Sequence, residues 1–213
     1  MSADEDEPLI EVEEDPNAAR FRVVMLAVLV EGGLVLLALL LGWLFEKHSL
    51  SHLELDLAGV GWGLVATLPL LAAFYVMNRW PVGPLAGLKE FSETTVRSMM
   101  RPLTKVDLLG ISCLAGLGEE MVFRGLAQDL LGTQLPLGYA IAVASLMFGV
   151  VHAISPTYFV LAALAGGYLG CVYALTGDIA APIVAHAAYD FVALLVLVRD
   201  DGTEGSPADE SPS

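Results

Sequence analysis

Apolar residues fill six runs of helix length along this chain: Val23–Phe45, Leu57–Asn78, Val106–Leu131, Leu137–His152, Thr157–Leu175 and Ile179–Val198. Crossing about 30 Å of hydrocarbon takes about 20 such residues, at roughly 1.5 Å of rise each. The pattern predicts an all-α polytopic membrane protein, with about six transmembrane helices forming a bundle around an intramembrane cavity. Between the second and third runs, Pro84–Lys105 mixes Leu85, Leu88, Phe91 and Val96 with Lys89, Glu90, Glu93, Arg97 and Arg101. That mixture predicts an amphipathic segment lying along the membrane interface. Thr176-Gly177-Asp178 ends in an N-cap for the last helix, and Pro182 falls in its first turn, where the missing N–H costs little. Gly166, Gly167 and Gly170 predict close helix packing in the fifth run. No internal repeat is evident.

Composition sharpens this picture. The chain has 213 residues, 56% of them hydrophobic and only 16% charged, with mean hydropathy +0.68, which excludes a soluble domain built on one core. The net charge of −15 is gathered at the ends, with eight acids in residues 1–19 and five in 200–213. These tails are expected to be disordered and solvated, and they argue against a nucleic-acid partner. Four segments follow: an acidic tail (1–19), two membrane helices with the interfacial segment (20–104), a four-helix core (105–198) and a second acidic tail (199–213). No secretory signal peptide is expected, because the first twenty residues lack a basic and then an apolar region. With the N-terminus inside, eight basic residues (Arg20, Arg22, Arg79, Lys89, Arg97, Arg101, Lys105, Arg199) face the cytoplasm and only Lys47 faces out. The positive-inside rule therefore predicts a multi-pass protein of the cell membrane with both termini cytoplasmic. Cys113 and Cys171 lie in apolar runs and are expected to be small buried hydrophobes without a disulfide.

The informative residues are the ionisable ones inside the apolar runs, each costing about 2.5–3.5 kcal/mol at the centre of a span by the lower estimates. Glu119 and Glu120 fall in the third run together with Arg124. Glu120 and Arg124 are four apart, the favourable order for an ion pair on one helix face. Glu119 is turned about 100° away and remains available as a base. His152 ends the fourth run, one turn after Phe148, and His186 and Asp190 share a face of the sixth. Each cluster has a purely structural alternative: a buried polar knot, a helix-end cap, a self-satisfied His–carboxylate pair. Taken together, a Glu base, two His and a carboxylate in one bundle are what hydrolysis of a carbonyl compound needs. Counted from the helix ends, Glu119 and His186 lie at similar depth, whereas His152 falls near the inner surface. The uncharged Ala153–Pro156 connection is therefore expected to dip into the membrane beside a water-filled cavity. Glu31, beside Gly32 and Gly33, is read as a hydrated kink or an interhelical hydrogen bond.

Glu119-Glu120-x-x-x-Arg124, Phe148-x-x-x-His152 and His186-x-x-x-Asp190 resemble the three motifs of the CAAX-protease and bacteriocin-processing (Abi) family of intramembrane endopeptidases, over roughly residues 105–198. The approach to the last motif, from Thr176 to His186, resembles that family as well. The resemblance implies that Glu119 and His152 activate water, that His186 and Asp190 stabilise the oxyanion, and that Glu120, Arg124 and Phe148 support them. It implies a membrane-associated, lipidated or prenylated protein or peptide as substrate, cleaved near its C-terminus, with membrane lipid as the surrounding partner. One departure stands out: the prenyl-protein branch usually has Asn where this chain has Asp190, and an ionised Asp cannot donate to an oxyanion. No cofactor is assigned. If the enzyme is metal-dependent, the metal is zinc and its candidate ligands are Glu119, His152 and His186, although the chain lacks His-Glu-x-x-His. The competing readings are a proton-coupled transporter, whose midplane acids and His would relay protons, and a catalytically silent membrane scaffold.

Overall fold

The computed structural model describes residues 15–54 and 56–199, so most of both acidic tails lies outside the described residues. Seven helical segments follow one another, and no strand occurs among the described residues. They are α1 (Pro16–Leu44), α2 (Leu57–Arg79), α3 (84–100), α4 (105–132), α5 (Leu137–Val151), α6 (Pro156–Thr176) and α7 (Ala180–Leu197). The chain is an all-helical polytopic membrane bundle. Helices α1, α2, α6 and α7 are long and apolar enough to cross a membrane, and α5 is a shorter apolar helix.

Local chemistry sets the helix ends. The Asp15 carboxylate accepts from Asn17 N at 2.9 Å and Pro16 opens α1. Helix α1 thus starts seven residues before the apolar run, and residues 16–19, expected in the tail, are helical. Asp56 caps α2 by accepting from Gly59 N, and Ser155 caps α6 by accepting from Tyr158 N. Thr104 and Asp107 form a capping box at the start of α4. Asp107 also pairs with Arg20 at 2.7 and 2.9 Å, fastening the start of α1 to the start of α4. Gly177 ends α6 in the left-handed region at φ 70°, which favours glycine. Asp178 then accepts from Ala180 N and from Glu54 N with the same oxygen, so it caps α7 and also holds the loop after α1.

Two helices depart from a regular α pattern. In α3 a π-helical turn at Ser92–Val96 interrupts the amphipathic segment, and in α4 another occupies Phe123–Gln128. Such turns shift the register of the side chains that follow, and they recur at functional sites.

Small residues let the helices meet. Helix α7 lies between α2 and α4, α1 packs on α4, and α5 pairs with α6. A Cβ on Gly63 would come within 2.6 Å of Val184 Cβ and 2.7 Å of the Ala181 carbonyl. One on Gly116 would meet the Ile183 carbonyl at 2.9 Å, and one on Gly118 the Glu31 carbonyl at 2.7 Å. The predicted role of Gly166 and Gly170 holds: Gly166 faces Phe148, and Gly170 faces Gln128 and Ile141. Gly32 and Gly33 meet nothing within 4 Å, so the close approach near Glu31 is made by Gly118 instead. Cys113 and Cys171 are unpaired but exposed on the outside of the bundle, not buried as expected. Both stand on helix faces that point away from the packed interior.

Gly63→Ala should lower the thermal midpoint in detergent, by an overpacking cost of about 1–3 kcal/mol. Gly61→Ala, on a face with nothing within 4 Å, should leave it unchanged or raise it slightly. Equal midpoints for the two variants would contradict the α2–α7 contact.

Candidate active site

Glu120 and Arg124 anchor the site, and they are almost completely withdrawn from solvent, at 0% and 1% exposure. The ion pair forms as the spacing predicts, with Arg124 Nη1 donating to Glu120 Oε1 at 2.8 Å. Arg124 Nη2 donates to the Gly166 carbonyl at 2.8 Å, and its guanidinium lies 4.9 Å from the Phe148 ring centre. One turn on, Gln128 Nε2 donates to the Gly170 carbonyl at 3.1 Å. The π-helical turn places both donors on α6, four residues apart on each helix. The α6 glycines therefore do more than permit packing: they expose two carbonyls to donors that would otherwise be buried unpaired.

Glu120 has a second partner that its spacing did not reveal. His186 Nδ1 lies 2.8 Å from the same Oε1, and because a carboxylate can only accept, the Nδ1 proton points to Glu120. His186 Nε2 is left facing the cavity, 3.4 Å from Asp190 Oδ2 and 4.0 Å from Glu119 Oε2. Glu120, not Asp190, is thus the tighter contact orienting the imidazole.

His152 is fixed by the same logic. It ends α5, with Nδ1 2.8 Å from the Phe148 carbonyl, and its ring stacks on Phe148 at 4.4 Å between centres. A carbonyl only accepts, so Nδ1 carries the proton and Nε2 faces Glu119 Oε2 at 3.5 Å. The depth difficulty disappears with this contact. Helix α5 has 15 residues, about 21 Å of rise, which falls short of a full span. Its end therefore sits at the level of Glu119, within the bundle. Phe148 is the hub of the wall: it touches Phe123 edge-on at 5.0 Å and reaches His186 at 6.0 Å.

Glu119 stands where these groups converge. Its side chain is buried, and Oε2 makes no hydrogen bond despite facing two imidazoles. A cavity of about 170 Å³ opens on it, lined also by His152, His186, Asp190, Tyr158 and Tyr189. Leu88 of the interfacial α3 lines the same cavity, with Leu70 and Met77 of α2. The structure brings Glu119, His152, His186, Asp190 and Phe148 into one place, with Glu120 and Arg124 behind. Sequence reasoning passed over Tyr158, Tyr189 and Leu88. Tyr189 was three residues after His186 and so on its face, but Tyr158 and Leu88 carried no signal short of the tertiary fold.

Glu31 joins the neighbourhood from α1. Its carbonyl packs on Gly118, its carboxylate Oε2 is buried without a hydrogen bond, and it lies within electrostatic reach of Glu119, His186 and Asp190. The hydrogen bond expected of it does not form at that oxygen. Among the described residues, no group of three or more His, Cys, Asp or Glu side chains is arranged as a metal site, and the chemistry below routes no step through a metal.

Residues 101–192 match the model of the type II CAAX prenyl endopeptidase Rce1-like family. No curated protein and no solved structure matches the chain.

Arg124→Met would leave Glu120 buried without its cation and should cost about 3–5 kcal/mol in unfolding experiments. Adding Glu120→Gln to that variant should recover part of the loss. A double variant as unstable as the sum of both single ones would show that the two side chains do not act as a pair.

Proposed function

We propose that this chain, whose residues 101–192 match the Rce1-like CAAX prenyl endopeptidase model, is an intramembrane endopeptidase in which Glu119 activates the attacking water. The observation that carries this reading is the convergence of one unpaired buried carboxylate with two imidazole Nε2 atoms on a single cavity. Glu119 Oε2 and His152 Nε2 stand 3.5 Å apart on the cavity wall, so one water on the cavity side lies within reach of both. Glu119 takes its proton and the hydroxide attacks the carbonyl carbon of the scissile bond. His186, held by Glu120 through Nδ1, presents Nε2–H to the oxyanion when doubly protonated, and Asp190 accepts from that same group in the free enzyme. Glu119 then returns the proton to the leaving amine as the C–N bond breaks.

The substrate in this reading is a membrane-associated protein or peptide, lipidated near its C-terminus. The apolar cavity wall from Leu70, Met77 and Leu88 supports a lipidated or hydrophobic segment beside the site. Both termini face the cytoplasm, a reading supported by the eight-to-one split of basic residues.

The test uses the full chain purified in detergent with a fluorogenic peptide ending in S-farnesyl-cysteine and three further residues. Glu119→Gln should lower kcat by about 10²–10⁴-fold, the usual weight of a general base. His186→Ala should fall comparably. Cleavage by both variants at the wild-type rate would refute the assignment. Strong chelators should leave the wild-type rate unchanged; its complete loss, restored by added zinc, would overturn the metal-free chemistry.

A further inference from the structure

Asp190 leaves a gap in the mechanism just proposed. Asp190 puts acceptor oxygens where an amide would offer a donor, and its Oδ2 stands 3.4 Å from His186 Nε2, the group the oxyanion would use. A second donor is needed inside the same cavity. Backbone N–H groups do not supply it: His152 N donates to the Gly149 carbonyl, Tyr158 N donates to Ser155 Oγ, and the remaining wall residues lie inside helices.

Two phenols line the cavity, Tyr158 at the start of α6 and Tyr189 in α7. They differ in what surrounds them. Tyr189 packs edge-on against Phe74 at 6.3 Å, and its electrostatic neighbours are Asp190 and Tyr158. Tyr158 meets the His152 ring at 6.2 Å and lies within electrostatic reach of both Asp190 and Glu119. Its backbone is pinned by the Ser155 cap, at 3.1 Å, so the ring is carried on a rigid helix start. Its hydroxyl has no hydrogen-bond partner among the described residues. A partly buried phenol with a free O–H on the same cavity as Glu119 and Asp190 is suited to an oxyanion.

Resting on the endopeptidase reading, we propose that Tyr158 is a catalytic residue whose O–H donates to the oxyanion, the role an amide at position 190 would otherwise fill. As the water oxygen bonds to the carbonyl carbon, the carbonyl π pair moves onto oxygen. That oxygen accepts hydrogen bonds from Tyr158 O–H and His186 Nε2–H. Tyr158 keeps its proton throughout, and collapse of the intermediate restores the carbonyl as the C–N bond breaks.

The experiment compares wild type, Tyr158→Phe, Asp190→Asn and the double variant on the same farnesylated peptide, with thermal midpoints measured alongside. Tyr158→Phe keeps the ring, so its midpoint should match wild type. Its kcat should fall about 10²–10³-fold, the usual effect of removing one oxyanion donor, with KM little changed. Asp190→Asn in the Tyr158→Phe background should recover at least tenfold of that loss, because the amide supplies the missing donor. Wild-type kcat in Tyr158→Phe overturns the proposal, as does a change confined to KM, which would make Tyr158 a wall of the substrate cavity only. Failure of the double variant to recover any rate also overturns it. A wild-type enzyme that does not cleave the peptide, or a Glu119→Gln variant that cleaves normally, removes the endopeptidase reading itself and this proposal with it. The two failures are thereby told apart.

Discussion

An arginine and a glutamate sealed from solvent within one helix set the terms for everything around them. Burying that pair in a bundle that displaces both water and lipid is unfavourable unless every remaining donor and acceptor is matched. Arg124 spends its second guanidinium arm on the Gly166 carbonyl, and Glu120 accepts from His186 with the oxygen that already holds Arg124. Three helices, α4, α6 and α7, are thereby joined through two side chains. Glycine at 166 leaves the carbonyl approachable, and the π-helical turn that begins at Phe123 aims Arg124 and Gln128 at it and at Gly170. The ring of Phe148 closes the remaining side of the guanidinium and stacks His152 into place.

The candidate chemistry grows out of this frame. Both imidazoles have Nδ1 committed to a fixed acceptor, a carbonyl for His152 and a carboxylate for His186, so both turn Nε2 towards Glu119. This is orientation by second partners, the device by which rigid sites hold their reactive groups. Glu31, Glu119 and Glu120 each have a buried oxygen without a hydrogen bond, and that of Glu119 faces both imidazole Nε2 atoms. An unmatched buried carboxylate would be a liability in a merely structural knot. Beside two aimed imidazoles it is suited to the base's part in the proposed reaction. In the proposed reaction Asp190, 3.4 Å from His186 Nε2, would be an acceptor, so a further donor to the oxyanion would come from other walls of the cavity.

Periodicity and composition alone defined a great deal: six apolar runs, of which four form helices long and apolar enough to span, the amphipathic segment between the second and third, the cap at Asp178 and the Glu120–Arg124 pair. These are properties of residues close together along the chain, governed by helix rise, by 3.6 residues per turn and by capping chemistry, so sequence distance suffices to read them. Three polar clusters also marked Glu119, His152, His186 and Asp190, which the fold gathers on one cavity. Tertiary structure alone decided the rest, because it depends on which helix faces meet. It turned Glu120 into the partner of His186 across 66 residues and ended α5 at the level of Glu119. It exposed Cys113 and Cys171, made Gly118 the seat for α1, and brought Leu88 and Tyr158 into the cavity. An apolar run shows that a helix must be covered on every side, by protein or by lipid, but not which side takes which, and that choice places the hydrogen-bond partners of a buried charge.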